Sequence, residues 1–373
     1  GEGRLLKEEV LSDLLNDQYD KAEEEFLEFA ESFAPGKTDG ILEDYVLRLY
    51  EFAMSYPFPE KWLSDSIQAY ECSSLEELLK SDWAENLKGS VKGLLRELQG
   101  LVEQALSITK EADGPYMYQD ALLSDREWID TLCGADTLLE LSERMREAPG
   151  FARLSSKKDE NVSPEKREAV KGLRERVKDG ITELTEQYFF ASLEEQYEDL
   201  KACARPMKTL VTLTILFKQQ FESRKREKNI LDFHDMEHLA LKILVEEKEG
   251  KIVPTETARE LAGEFEEIMI DEYQDSNLVQ ETLLRAVSGI WEGRNNLFMV
   301  GDVKQSIYRF RLARPELFME KYHTYTKEES ESQRIDLSRN FRSRREILAF
   351  TNQVFQGVMQ EHLGGIRYDE DAA

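Results

Sequence analysis

Two acidic residues close a short apolar run in Ile268-Met269-Ile270-Asp271-Glu272, and their placement gives the first chemical reading. In open α/β sheets ligands sit beyond the carboxyl ends of the strands. A carboxylate pair there suits Mg²⁺, which takes one or two carboxylates and completes its shell with water and nucleotide phosphate oxygens. Asp271 and Glu272 are therefore the candidate metal-facing pair, and Glu272 can also orient or deprotonate a water that attacks a phosphoryl group. Asp-Glu pairs are common by themselves. The full run Asp271-Glu272-Tyr273-Gln274-Asp275 behind an apolar strand is far more specific, and a second apolar run, Leu297-Phe298-Met299-Val300, ends comparably in Gly301-Asp302.

The elements that must position these groups follow from periodicity. Ile268–Ile270 and Leu297–Val300 read as strands buried on both faces of a parallel sheet. Between them Leu278 to Trp291 carries a helical stripe (Leu283, Leu284, Val287, Ile290), which makes a βαβ crossover. Arg334-Ile335-Asp336-Leu337 is a third candidate strand, followed by a helix over about 344–359 and an acidic tail, Tyr368-Asp369-Glu370-Asp371. Everything up to about residue 228 reads as helical. Val10, Leu11, Leu14, Leu15 and Tyr19 form one stripe; Phe26, Leu27, Phe29, Ala30 and Phe33 another; Leu42, Tyr45, Val46, Leu49, Tyr50, Phe52 and Ala53 a third. Tyr56-Pro57-Phe58-Pro59 breaks the run. Ser73-Ser74-Leu75-Glu76 reads as a capping box, and a long helix follows through Val91, Leu94, Leu95, Leu98, Leu101, Val102 and Ala105. Ser163-Pro164-Glu165 starts another helical region, over about 166–228 with an interruption near Pro206. Such stripes are core rather than ligand boxes.

Composition bounds the partners. The chain has 373 residues, with 49 Lys+Arg against 76 Asp+Glu and a net charge of -27. That charge argues against non-specific coating of DNA, so any nucleic-acid contact must use a local groove. Cys72, Cys133 and Cys203 lie far apart with no CxxC, which favours reduced, buried thiols over a disulfide framework or zinc knuckle. His234 and His238 are four apart, but Asp235 stands where an HExxH zinc motif needs glutamate, and no further ligands are visible. No apolar run would span a bilayer and no signal peptide is visible, so a cytoplasmic protein is expected. Gly36-Lys37-Thr38 imitates the end of a P-loop. Glu31 occupies the position of its first glycine and an acidic helix precedes it, so it reads as a turn between helices.

Three runs in order carry a family resemblance. Asp271-Glu272-Tyr273-Gln274-Asp275 resembles motif II of superfamily-1 DNA helicases. Val300 through Arg311, including Gly301-Asp302-Val303-Lys304-Gln305-Ser306-Ile307-Tyr308-Arg309-Phe310, resembles motif III, and Leu337-Ser338-Arg339-Asn340-Phe341-Arg342-Ser343 resembles motif IV. Within the superfamily the chain is most similar to AddA-type helicase-nuclease subunits, on Leu231-Asp232-Phe233-His234-Asp235-Met236-Glu237, Arg311-Leu312-Ala313-Arg314-Pro315-Glu316-Leu317-Phe318 and the opening Gly3-Arg4-Leu5-Leu6. RecB-type subunits are the near alternative.

The resemblance implies a fold that is mostly α with an α/β part. A large helical insertion (1–228) would be attached to part of a RecA-like P-loop NTPase parallel sheet (229–330), and a second RecA-like domain would start at 331–373. It implies ATP and Mg²⁺ as cofactors, Asp271 on the metal, Glu272 as catalytic base, Gln305 sensing the γ-phosphate and Arg342 as an arginine finger. Tyr308 and Phe310 would stack on bases of single-stranded DNA, with ordinary packing as the alternative, and Arg311 would link the DNA and nucleotide sites. Phe310 stands where many relatives carry Trp, while Arg344 and Arg345 read as a solvated helix start.

The implied parent is an ATP-dependent 3′-5′ DNA helicase-nuclease subunit of double-strand-break repair. It would act on single- and double-stranded DNA beside an AddB-like partner subunit, with no membrane role. A Walker A motif, motifs V and VI and the nuclease signature are not found, so the expectation is an internal fragment that is inactive alone. A non-catalytic DNA- or protein-binding helical module with a vestigial motor is the competing reading.

Overall fold

The computed structural model describes residues 2–34, 36, 38–147, 150–308, 310, 312–337, 339–359 and 368. It is mostly helical with small sheets. Packing divides the chain into two compact units: 68–204 in one, 1–67 with 205–373 in the other. The helical stretch 1–228, expected as one insertion, is thus shared between the two.

In the discontinuous unit, α1 (Glu2–Lys21), α2 (Glu24–Phe33) and α3 (Gly40–Ala53) form where apolar residues recur at helical spacing. Their inward residues are Leu6, Val10, Leu11, Leu14 and Leu15, then Phe26 and Phe29, then Leu42, Val46 and Tyr50. The proline break is real, and Pro59 opens α4 (Pro59–Ile67) at the first helical position, where its missing N–H costs nothing.

The unit of residues 68–204 holds α5 (Leu75–Leu79), α6 (Asp82–Thr109), α7 (Gln119–Cys133), α8 (Leu138–Arg146), α9 (Pro164–Tyr188) and the start of α10 (Leu193–Glu227). Val91, Leu95, Leu122, Ile129, Leu141 and Val170 meet in its core. The expected capping box is shifted by one residue. Ser74 accepts the Glu77 N–H, and the Glu77 carboxylate reaches back to the Ser73 N–H at 2.9 Å. Arg174 lies buried against Asp125 at 2.6 and 3.0 Å and also donates to the Ala152 carbonyl at 2.6 Å.

The helical break expected near Pro206 lies earlier. α9 stops at Tyr188, the Ser192 N–H and hydroxyl bind the Glu195 carboxylate, and α10 then runs unbroken through Pro206. The later turns of α10 place Leu213, Phe217 and Phe221 on the α1–α3 core. There the Tyr50 ring meets Phe217 edge-on at 5.2 Å and 89°.

Downstream come α11 (Phe233–Leu244), a hairpin of β1 (Val245–Lys248) and β2 (Lys251–Pro254), and α12 (Glu256–Glu264). The hairpin has no signal in the sequence patterning. Glu249 and Gly250 both take positive φ, 53° and 75°, the geometry of a two-residue turn that favours asparagine or glycine; a glutamate in the first place hides it. The βαβ crossover is as expected. β3 (Ile268–Ile270), α13 (Leu278–Ala286) and β4 (Leu297–Met299) follow, with β3 and β4 parallel and Ile268, Met269 and Ile270 facing Leu297, Phe298 and Met299.

Two expectations fail here. The strands are not buried on both faces: Met269 is 72% and Phe298 55% exposed. Arg334–Leu337 is also no strand. The Arg334 N–H bonds the Thr326 carbonyl, yet Ile335 and Leu337 stand exposed with no described strand alongside to pair them. α14 (Pro315–Thr324) and α15 (Arg345–Val358) complete the unit. The residues 369–371 of the acidic tail lie outside the described residues.

Candidate active site

β3 delivers Asp271 and Glu272 at its carboxyl end, both exposed. The strand register extends one step past the ladder: the Val300 N–H donates to the Ile270 carbonyl at 2.8 Å and the Tyr273 N–H to the Val300 carbonyl at 2.9 Å. The chain then turns sharply. Asp271 Oδ1 accepts the Glu272 N–H at 2.9 Å, and Glu272 sits at φ 50°, ψ 40°. That left-handed conformation is uncommon for a residue with a Cβ, and strain of this kind gathers at functional sites.

Beneath the pair lies a residue with no role in the sequence reading. Gln274 is fully buried in the 3₁₀ turn Tyr273–Asp275; its Nε2 donates to Glu272 Oε2 at 2.7 Å and its Oε1 accepts the Asp302 N–H at 2.9 Å. Gly301 permits this closeness. A Cβ there would lie 2.5 Å from Gln274 Oε1 and 3.1 Å from the Phe318 ring. The end of β4 is thereby tied to the end of β3.

Tyr273 anchors the same turn. Its ring is buried, its hydroxyl hydrogen-bonds the Glu281 carboxylate, and Lys321 of α14 reaches that carboxylate at 2.9 Å. Burial, then Glu281, pushes the Tyr273 phenol well above its usual range. Asp275 has one enclosed carboxylate oxygen without a hydrogen-bond partner, and burial, followed by the charge of Glu272, raises its pKa. An open cleft of about 440 Å³ is lined by Asp271, Glu272, Asp275, Ser276 and Gln280, with Ile270, Leu283 and Leu284 as its apolar side.

Gln305 lies in the following turn. Its backbone N–H donates to the Asp302 carbonyl at 2.8 Å and its Nε2 to Asp302 Oδ2 at 3.2 Å. Tyr308 and Phe310 are exposed neighbours, ring centroids 5.8 Å apart, with Phe310 74% exposed. Arg311 lies outside the described residues. Arg342 is exposed in a turn where Asn340 Oδ1 accepts the N–H groups of Arg342 and Ser343. Among the described residues no hydrogen bond or ion pair brings its side chain to Asp271, Glu272 or Gln305. The structure thus joins Asp271, Glu272, Asp302 and Gln305 into one locus.

The two ring nitrogens of His238 face the His234 and Tyr56 carbonyls at 2.9 and 3.1 Å. Cys72 and Cys133 are half-buried and Cys203 is exposed, not buried as expected. Among the described residues no group of three or more His, Cys, Asp or Glu is arranged to hold an ion. No helix among the described residues is long and apolar enough to cross a membrane.

The family model of the UvrD/REP helicase N-terminal domain matches residues 94–326. This chain belongs to that family. It is 44% identical over 99% of its length to the A subunit of the ATP-dependent helicase/nuclease of Lachnoclostridium phytofermentans, of which it covers 27%. To the proteins of the same name from Clostridium beijerinckii and Bacillus pumilus it is 41% and 38% identical over its whole length, covering 30% of each. The chain therefore spans under a third of these relatives, and its likeness to AddA-type subunits extends from end to end. As a UvrD/REP helicase domain it carries the Asp271–Glu272 turn within the matched region.

Proposed function

We propose that this chain contributes the Walker B and motif III part of an ATP-driven DNA motor in a helicase-nuclease subunit. The observation that carries the reading is the locked turn at the end of β3, where Asp271 and Glu272 are tied through Gln274 to Asp302 at the end of β4. The fold around it is then the later half of a first RecA-like domain (229–330), with a second beginning at 331–373. The helical insertion precedes them.

Asp271, with one carboxylate oxygen on the Glu272 N–H, keeps the other for a hydrated cation. Mg²⁺, when bound with ATP, supplies charge neutralisation for the phosphates. Glu272 takes the proton of the attacking water, and its exposure at the cleft mouth leaves it accessible to that water. Gln305 would exchange its bond to Asp302 for the γ-phosphate or the water. Arg342 would serve as an arginine finger toward the γ-phosphate. Tyr308 and Phe310 offer two exposed faces for stacking on single-stranded DNA, and Arg311, next in the sequence, would link the DNA and nucleotide sites.

The parent activity is 3′-5′ translocation in double-strand-break repair in the cytoplasm, on single- and double-stranded DNA, beside an AddB-like subunit. The 373 residues contain no GxxxxGK[ST], so this chain alone is expected not to hydrolyse ATP. In the intact gene product containing this sequence, Glu272→Gln lowers ATP turnover by about 10²–10⁴-fold, the usual contribution of a general base. Turnover at the wild-type rate in that variant would sink the reading. Mg²⁺-dependent turnover by the 373-residue chain itself would sink only the chain-alone part.

A further inference from the structure

We infer that Gln274 is a positioning residue for Glu272 and the link through which the motif III segment reports to it. The inference rests on Glu272 being the base. A carboxylate only accepts and a backbone N–H only donates, so the two partners fix the amide orientation of Gln274: Nε2 on Glu272 Oε2 at 2.7 Å, Oε1 on the Asp302 N–H at 2.9 Å. Both bonds are made by a side chain with no solvent exposure, where an unsatisfied donor or acceptor is costly.

Among the described residues no second hydrogen bond duplicates this restraint on the Glu272 carboxylate. The residue sits in a strained turn, its carboxylate is exposed, and one of its two oxygens is held by Gln274. The other oxygen is then aimed by the first and meets the water. Gly301 lies directly against the amide oxygen, close enough that a Cβ there would be 2.5 Å from it. Asp302 in turn accepts Gln305 and lies a few residues before Tyr308 and Phe310. A shift of the 301–310 backbone therefore moves the Asp302 N–H, the Gln274 amide and the Glu272 carboxylate together.

The test uses the intact gene product with three substitutions. Gln274→Glu is isosteric and still accepts the Asp302 N–H, but it places a second carboxylate against Glu272. Its kcat for ATP is expected to fall about 10–100-fold at pH 8, a share of what a general base contributes, with KM within about threefold. As pH falls to 6 the paired carboxylates hold one proton between them, the O–H to carboxylate hydrogen bond returns, and the ratio to wild type rises. Gln274→Met, which neither donates nor accepts, loses kcat without that recovery.

Should neither substitution at 274 fold, Gly301→Ala, which drives a methyl into the amide oxygen, lowers kcat in the same sense at unchanged KM. Wild-type kcat in whichever of these variants folds, alongside a dead Glu272→Gln, overturns the inference. So does a Gln274→Glu loss that is flat with pH and equal to that of Gln274→Met, because it would make Gln274 a structural filler. If Glu272→Gln itself keeps turnover, the underlying reading fails instead, and the two failures are told apart.

Discussion

At the scale of single residues, Glu272 meets two opposed demands. The carboxylate proposed above as the base stands in a left-handed backbone conformation that a glycine would adopt without strain. Two truncations separate the effects. Glu272→Ala and Glu272→Gly both lose the Gln274 hydrogen bond, but only alanine keeps the Cβ. The glycine variant is expected to be the more stable by about 1 kcal/mol in denaturant unfolding, while both lose turnover in the intact gene product. Equal stability, or alanine ahead, would mean the turn is not strained. Asp271 and Glu272 stand out in the sequence because a carboxylate pair at a strand end suits a hydrated cation, whereas Gln305 is singled out only by the resemblance to motif III. Gln274 was visible as a letter but silent in role, since neither its burial nor its bond to a residue 28 positions away leaves any trace in spacing. Gly301 shares that silence: its need to be glycine comes from the amide packed on it, not from its own φ.

At the scale of elements, buried charge decides more than apolar patterning shows. Lys225, only 3% exposed near the end of α10, bonds Asp232 at 2.9 Å and Asp235 at 2.6 Å, and those two aspartates form the capping box that starts α11. Burial alone would raise the Asp232 pKa, but the Lys225 hydrogen bond and the Asp235 N–H bring it below its usual value. A folded pKa below the unfolded one contributes stability that is present above about pH 4 and is lost as pH falls through the lowered value. Lys225→Met is therefore expected to cost about 3 kcal/mol at pH 7, at the low end for breaking a buried ion pair because Asp232 is partly exposed. The deficit should shrink on acidification below about pH 4, in urea unfolding followed at several pH values. A deficit constant with pH would count against the pairing. In the unit of residues 68–204, Asp125→Ala strands Arg174, buried at 3% exposure, and is expected to cost about 3–5 kcal/mol; a change under 1 kcal/mol would be the contrary result. The helices were readable because an apolar stripe such as Val10, Leu11, Leu14 and Leu15 maps directly onto a buried face. The exposed faces of β3 and β4 were not, since Met269 and Phe298 are as apolar as any core residue. Arg334–Leu337 misled for the same reason, its Ile335 and Leu337 alternating as in a strand that here finds no partner among the described residues.

At the scale of the whole molecule, the division into 68–204 and 1–67 with 205–373 had no marker in composition, because α10 crosses it as one continuous helix. Charge was readable and makes a sharp demand. A net charge of -27 over these 373 residues repels DNA at long range, so the DNA binding proposed above would have to come from a few local contacts, and stacking and phosphate pairing can be separated by salt. Phosphate contacts release counterions and tilt the plot of log affinity against log salt by about 0.7 per contact on single strands, whereas stacking adds affinity without tilting it. Fluorescent oligo-dT titrated into the intact gene product at 50 and 200 mM salt is expected to show a shallow slope. Replacing Tyr308 and Phe310 by alanine together should lower affinity at both salts by about 1–3 kcal/mol per stacked base with the slope unchanged. Arg311→Ala should flatten the slope by about 0.7 with a smaller loss at high salt. If the aromatic pair instead changes the slope and leaves high-salt affinity intact, Tyr308 and Phe310 are packing residues and the DNA track lies elsewhere on the motor.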